Sequence, residues 1–359
     1  MKRRIGLLTP GGDVCGLNAV IEAVVKAAHK YDIEVFGYLN GYEGMVHDRG
    51  KILTLKDVED IRHKGGTILG ASKGPSPKAY PIDGKKVDMH DKILNDFKAK
   101  NIDSVIITGG DGSMREAKDL CEMGVKTIGV VKTIDNDVEG IKALGYDTGT
   151  QALYDYIGHV KTTALSHSRV MVVEAMGATV GWLALRAGLA SGAHAILIPE
   201  MKLDMDELTE FVNNRVENGK RFTLIVVAEG IKLPEAITPA QDDPHRTAPV
   251  LKGAGQYIEK ELNQRLKSKF PNLEIRSAVP GHFQRGGSTL ANDIERGLIC
   301  GAEAVNCLMR DEYGFVISYL NKDIEHIPFD EIVGRAAVPE HHPIVDAVRS
   351  LGVFMGQHV

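Results

Sequence analysis

Cysteine is scarce in this 359-residue chain. It has four, Cys15, Cys121, Cys300 and Cys307, and no two form a CxxC pair. That excludes a disulfide framework and favours a reducing compartment. Long apolar runs are also missing. No stretch approaches the roughly 18 uncharged apolar residues that a membrane helix needs, so a membrane span is excluded. The start, MKRRIGLLTPGG, is basic, but its apolar run stops at Pro10. That run is too short for a signal peptide. Basic charge is not in excess either. Lys and Arg number 43 against 48 Asp and Glu, a formal net charge of −5. A general nucleic-acid binder needs a basic face, so that class fits poorly. The expectation is a soluble cytoplasmic protein with no nucleic-acid or membrane partner.

What is present is otherwise ordinary in amount and unusual in arrangement. Apolar residues make up 43% and charged residues 25%, as in soluble globular proteins. The length suggests two domains, at about 100–200 residues each. Glycine is the enriched residue, with 39 copies against a usual share of about 7%. Its clusters follow short apolar runs. IGLLT (5–9) precedes Pro10-Gly11-Gly12, and SVIIT (104–108) precedes Gly109-Gly110-Asp111-Gly112-Ser113. TIGVV (127–131) precedes Lys132-Thr133-Ile134-Asp135-Asn136-Asp137, and VMVVEA (170–175) precedes Met176-Gly177. HAILIPE (194–200) and FTLIVVAEG (222–230) repeat the design. Continuous Val/Ile/Leu runs suit strands buried on both faces, as in parallel sheets.

Helical stretches fill the gaps. Asn18 to His29 reads as a helix after a glycine turn. Asp204 and Glu207 form a capping pair ahead of Leu208, Phe211, Val212, Arg215 and Val216, and Gly219 ends that helix. The stretch Lys232 to Lys252, rich in Pro and Asp, reads as a surface loop. Strands alternating with helices predict an α/β protein with mostly parallel sheets. A switch between two lobes is expected near Leu144-Gly145-Tyr146-Asp147-Thr148-Gly149. Ligands in such folds bind at the carboxyl ends of strands, and the Gly- and Asp-bearing segments all lie there.

Four segments carry chemistry. In Thr9-Pro10-Gly11-Gly12-Asp13 and onward to Asn18, glycines let backbone amides approach a phosphate at a helix N-terminus. A tight strand–helix turn would look the same. In Gly109 to Ser113, Asp111 repels phosphate unless a cation intervenes, which makes it a candidate Mg²⁺ ligand. The alternative is a turn Asp bonding its own backbone. In Thr133 to Asp137, Asp135 and Asp137 share a face if the segment is extended. They can then divide base and metal-side roles in phosphoryl transfer to a hydroxyl, or simply build an Asx-rich turn. In Pro280-Gly281-His282-Phe283-Gln284-Arg285-Gly286-Gly287-Ser288, a His and an Arg can grip a phosphate ester, with Arg169 and Arg276 as further cations.

Together the segments LTPGGDVCGLNA, GGTILGASK, GGDGS, KTIDND, SHSRVMVVEAMG and GHFQRGG, in this order from residue 5 to about residue 310, resemble the phosphofructokinase A family. The resemblance implies two doubly wound α/β lobes. Residues 1–145 plus about 284–312 would bind the donor, and about 146–283 plus 313–359 the sugar phosphate. Gly12, Gly110, Asp111, Gly112, Ser113 and Lys132 would contact donor phosphates. Lys73 stands where the family usually has a donor-contacting Arg. Asp111 would hold Mg²⁺. Asp135 would be the general base for the C1 hydroxyl of fructose 6-phosphate, with Thr133 and Asp137 beside it. Met176, Gly177, Ala178, Glu229, His282, Gln284 and Arg285 would line the sugar-phosphate site. Arg169 and Arg276 would reach in from a neighbouring subunit, which implies a homo-oligomer, a dimer or more commonly a tetramer.

Several positions depart from the family pattern. Gly112 leaves space for a nucleotide α-phosphate, as in ATP users, whereas Lys132 is the residue of pyrophosphate users. Gly112 is the steric requirement, so ATP is the expected donor and pyrophosphate the alternative. Ala178 replaces an Arg that steadies the transferring group. Lys161 and Arg186 are the candidate substitutes, and a different sugar acceptor is the alternative. After Gly286-Gly287-Ser288, the segment Thr289-Leu290-Ala291-Asn292-Asp293-Ile294 lacks the family's Pro and Arg. Glu22, with Lys26 one turn on, occupies the place of an effector-binding Arg. A carboxylate there repels an anionic effector, so activation by ADP and inhibition by phosphoenolpyruvate are expected to be weak or absent.

Overall fold

The apolar runs form strands buried on both faces. The computed structural model describes residues 2–138, 140–233, 253–320, 323–332 and 336–357. Residues 234–252, most of the expected Lys232–Lys252 loop, lie outside the described residues. The chain begins with β1 (Arg4–Leu8), α1 (Leu17–Lys30), β2 (Glu34–Tyr38), α2 (Tyr42–Val46) and β3 (Gly50–Leu53). A small hairpin, β4 (Tyr80–Ile82) and β5 (Lys85–Val87), leads to α3 (His90–Lys100), β6 (Ile102–Gly109), α4 (Asp111–Glu122) and β7 (Lys126–Val131). Then come α5 (Tyr146–His167), β8 (Val170–Ala175), α6 (Trp182–Ser191), β9 (Ala195–Leu197), α7 (Met205–Glu217) and β10 (Thr223–Ala228). The rest is α8 (Ala254–Leu266), β11 (Ile275–Ala278), α9 (Ala291–Met309), β12 (Phe315–Leu320), β13 (Asp323–Pro328) and α10 (Pro343–Ser350).

Two sheets organise these elements. The first has the order β13-β12-β7-β6-β1-β2-β3, and the second β11-β8-β10-β9. Pairing is parallel except for β12 with β13 and β2 with β3 at the edges of the first sheet. Helices cover both faces of each. On the first sheet, Val20, Ile21 and Val24 of α1 pack with Cys300, Ala304 and Leu308 of α9. Ile93 and Phe97 of α3 pack with Met114 and Leu120 of α4 on the opposite face. The second sheet lies between α5, α6 and α10 on one face and α7 and α8 on the other. Asp204 caps α7, accepting from the amides of Asp206 at 2.8 Å and Glu207 at 3.2 Å.

The C-terminal stretch divides differently from the sequence expectation, which gave all of 313–359 to the second lobe. β12 pairs in parallel with β7, Phe315 against Ile128. Its Val316 and Ile317 are buried against the first sheet's helices. An apolar strand completes the hydrogen bonding of whichever open edge it reaches, and β7 offers that edge. Only the end of the chain joins the second lobe, through Val345 and Val348 of α10 and through Phe354 beside β9.

The start of α5 is pinned by a buried charge network. Asp293, at 0% exposure, accepts from the amide of Gly145 at 3.0 Å and from the amide and hydroxyl of Thr148 at 2.8 and 2.6 Å. Arg296 donates to Asp293 at 2.7 Å and to Asp147 at 3.2 Å. Asp147 also meets Lys142 at 3.0 Å and Arg186 at 3.3 Å. Burial works to raise the Asp147 pKa, but Lys142 and Arg296 hold it below its ordinary value. Removing one member strands the others without partners. Asp293→Ala is expected to cost about 3–5 kcal/mol of stability, measured as a shift in the denaturant midpoint. A loss within 1 kcal/mol would mean that the network is already solvated.

Candidate active site

The residues expected to hold the donor begin on the turn after β1. Thr9 is fully buried. Its hydroxyl donates to the Gly70 carbonyl at 3.0 Å and meets the Thr67 hydroxyl at 3.0 Å. Asn18 donates to the Lys64 carbonyl at 3.0 Å and accepts from the Ile68 amide at 2.9 Å. These two side chains staple the loop bearing Lys73 against Gly11 and Gly12. Neither was singled out as a site residue, although both stand inside the first glycine motif.

Three cations converge there. Lys132 donates to the Gly12 carbonyl. A Cβ added to Gly12 would lie 3.1 Å from Arg285 Nη1 and 3.4 Å from Lys73 Cε. Arg285 also donates to the Asp13 carbonyl at 3.2 Å. This sets Arg285 beside the donor-side cations. Burial, then the nearby Arg285 and Lys73, push the Lys132 pKa down to about 7, against the pull of Asp135 and Asp13. Asp111 is the first residue of α4, with Arg115 at 2.7 Å. Gly112 beside it is exposed, and a Cβ there would meet nothing within 4 Å. Ser113 is buried, its carbonyl accepting from the Tyr42 hydroxyl at 2.8 Å. One half-exposed carboxylate at a helix N-terminus, beside space for phosphates, suits Mg²⁺. That ion keeps several waters and takes one or two carboxylates plus phosphate oxygens.

The residues expected at the acceptor include those in the segments after β7, β8 and β10. Asp135 donates its amide to the Thr133 hydroxyl at 3.0 Å. Asn136 takes a positive φ of 55°, which turns the segment so that Asp135 and Asp137 do not alternate as in a strand. Glu229 follows β10 and accepts from the amides of Gly177 at 3.2 Å and Ala178 at 3.0 Å. Burial lifts the Glu229 pKa to about 7, Asp135 adds to the rise, and the two amides oppose it. Asp135 therefore acts on both Lys132 and Glu229. Gln284 accepts from the Met176 amide at 3.1 Å and donates to the Gly281 carbonyl at 3.1 Å, joining the two sugar-side loops. Ala178 sits at φ 51°.

Some expected members are not brought together. Arg169 precedes β8 and Met176 follows it, so the length of a six-residue strand separates them, about 20 Å. Arg169 binds Glu274 at 2.5 Å, and Arg276 lies opposite Met171 on β11. Both stand at the strand starts, away from Met176–Ala178 of the same chain. His282 is exposed on its turn. The two candidate substitutes for the missing Arg at 178 are also committed elsewhere. Lys161 donates to Ser191 at the distant end of α6, and Arg186 binds Asp147. Glu22 is not a free carboxylate: Arg62 and Lys26 both pair with it and, against burial, hold its pKa low. Among the described residues, one trio, Glu303, Cys307 and His326, has metal-ligating atoms within 4.8 Å of one another. Arg310 already donates to its Glu303 and Cys307.

The family model for phosphofructokinase matches residues 4–308. The chain belongs to the phosphofructokinase family. An ATP-dependent 6-phosphofructokinase of Chloroflexus aurantiacus is 38% identical over 100% of this chain and 99% of that protein. An ATP-dependent 6-phosphofructokinase 2 of Clostridium perfringens is 36% identical over 98% of each. Among solved structures, Saccharomyces cerevisiae phosphofructokinase has a TM-score of 0.76 at 28% identity over 92% of this chain. The chain spans about half of that protein, 45% of its length. A pyrophosphate-dependent phosphofructokinase of Nitrosospira multiformis has a TM-score of 0.79 at 17% identity, over 100% of this chain and 93% of that one, a likeness of fold. The two-lobed α/β fold expected from the sequence is the fold of this family.

The buried Lys132 makes a prediction with a definite sign. Its pKa falls from 10.5 to about 7 on folding. Below pH 7 both states carry the proton and the folded state bears the full cost of the buried charge. As pH rises from 7 towards 10.5 the folded amine is neutral while the unfolded one is still charged, so the fold gains stability. Lys132→Met should therefore raise the Tm of the ligand-free protein more at pH 6 than at pH 9. It should also lower kcat/KM for the phosphoryl donor roughly tenfold or more, the worth of a charged hydrogen bond. A lower Tm at pH 6, or an unchanged donor kcat/KM, would contradict this role.

Proposed function

We propose that this phosphofructokinase transfers the γ-phosphoryl group of ATP to the C1 hydroxyl of fructose 6-phosphate, giving fructose 1,6-bisphosphate in glycolysis. The observation that carries the reading is Asp135, whose charge acts on both Lys132 and Glu229. A general base for this transfer must stand between donor and acceptor.

The donor polyphosphate lies over Gly12 among Lys132, Lys73 and Arg285, with the amides at the start of α4 turned to it. Asp111 would hold Mg²⁺, which screens charge on the donor phosphates when bound. The acceptor sits against Met176–Ala178 and Glu229. Asp135 takes the proton of the C1 hydroxyl as that oxygen bonds to the γ-phosphorus and the bond to the β,γ-bridging oxygen breaks. Thr133 and Asp137 orient the base. Open space beside Gly112 supports ATP over pyrophosphate as donor, as do the names of the relatives. A second acceptor reading keeps one observation in its favour: the two candidate substitutes for the Arg missing at Ala178, Lys161 and Arg186, are bonded elsewhere.

Arg169 and Arg276 complete the sugar-phosphate grip of a neighbouring copy, so the enzyme is a homo-oligomer, a dimer or tetramer with shared sites. No helix among the described residues is long and apolar enough to cross a membrane, and a cytoplasmic location is part of the proposal.

Two variants test base and sharing together. Asp135→Ser should lower kcat for ATP and fructose 6-phosphate by about 10²–10⁴-fold, the usual worth of a general base. Arg276→Ala should mainly raise KM for fructose 6-phosphate. At fructose 6-phosphate well below the raised KM, mixed oligomers of the two should be more active than either parent, because some sites then hold an intact Asp135 and a partner's intact Arg276. Near-normal kcat in Asp135→Ser would remove Asp135 from the chemistry. No recovery on mixing would place Arg276 in its own chain's site.

A further inference from the structure

A cavity of about 410 Å³ lies behind the Thr133–Asp137 loop, outside the donor and acceptor sites described above. Asn136, Lys142, Tyr146, Trp182, Arg186 and His342 give it its chemistry. Its walls are aromatic: Trp182 and His342 meet edge to face with centroids 5.0 Å apart, and the Arg186 guanidinium lies 5.4 Å from the Tyr146 ring centre. Flat rings and a guanidinium plane favour a planar, unsaturated guest.

The charge is also set for a guest. Lys142, Arg186 and Arg296 all pair with Asp147, and Arg296 also pairs with Asp293. Three cations against two carboxylates leave an excess of one positive charge, and Lys142 and Arg186 present it to the cavity.

The wall is wired to the catalytic loop. Trp182 Nε1 donates to the Ala336 carbonyl at 2.9 Å, and the Ala336 amide donates to the Asp137 carbonyl at 2.7 Å. Trp182 also opens α6, directly after the Met176–Ala178 loop. A guest that shifts Trp182 or Ala336 thus moves atoms bonded to Asp137, two residues from Asp135.

We infer that this cavity is an effector site for a small organic anion that carries a planar ring. The anion pairs with Arg186 and Lys142, and the ring packs on Trp182 and His342. Occupancy changes turnover through the Ala336–Asp137 link. The inference goes beyond the proposed reaction and does not depend on which sugar is the acceptor.

The test uses the full-length oligomer and the aromatic sulfonate 8-anilinonaphthalene-1-sulfonate as probe. Trp182 is the one tryptophan in the chain, so its emission reports on this cavity and needs no turnover. With ADP and fructose 6-phosphate both saturating, the probe should bind one per chain and quench Trp182. The uncharged N-phenyl-1-naphthylamine should bind about tenfold more weakly or worse, the cost of losing a charged contact. Arg186→Gln should weaken the probe by a similar factor. Ala337→Phe, at an exposed position on the rim, should block it by volume and serves if Arg186→Gln does not fold. Bound probe should change kcat or KM more than twofold. The inference is overturned if the substrates displace the probe, if Trp182 is not quenched, if both variants bind it as the wild type does, or if binding leaves the kinetics unchanged.

Discussion

Everything at the candidate site hangs on how the segment between β7 and α5 is held. That segment leaves the sheet at Val131, carries Thr133, Asp135 and Asp137, and returns where the Leu144 amide donates to the Val131 carbonyl at 3.1 Å. Its far end is fixed by Asp293, which takes the place of a side-chain cap for α5 from another helix altogether. A carboxylate with no exposure is costly in itself. Three donors and a buried arginine offset that cost, and the geometry of the loop follows from theirs. The Thr133–Asp137 segment is thus positioned by contacts between the first lobe, α5 and α9 rather than by its own sequence.

The second constraint is electrostatic. Lys132, Lys73 and Arg285 crowd around Gly12, and mutual repulsion with burial brings Lys132 close to neutrality. Such a cluster is unfavourable until a polyanion arrives, and a polyphosphate bound there would draw part of its binding energy from relieving it. Across the site Glu229 is pushed the opposite way by burial and by Asp135. A lysine lowered and a carboxyl raised to about the same pH flank Asp135, a pattern that concentrates at functional sites.

The sequence carried the local order well. The Val/Ile/Leu runs read as buried strands, and those at 104–108, 127–131, 170–175 and 222–230 lie within or around β6, β7, β8 and β10. Asp204 as a cap was legible because its bond partners lie two and three residues away. What escaped depends on distance in space. Asp293 looked like the remnant of a departed motif, because nothing near it in sequence reveals the amides of Gly145 and Thr148. β12 was assigned to the wrong lobe because a strand's apolar pattern says that it is buried, not which edge it joins. The left-handed turn at Ala178 has no side-chain signature. The pairing of Glu22 with Arg62 likewise joins a helix to a loop forty positions on.

The central claim is the reaction itself, and a rate matrix tests it most directly. ATP, ADP and pyrophosphate are each paired, with Mg²⁺, against fructose 6-phosphate and a set of other hexoses and hexose monophosphates, and the phosphate-ester product is identified. The account predicts the highest kcat/KM for ATP with fructose 6-phosphate, with fructose 1,6-bisphosphate as product. A higher kcat/KM with pyrophosphate, or with another sugar, would contradict it.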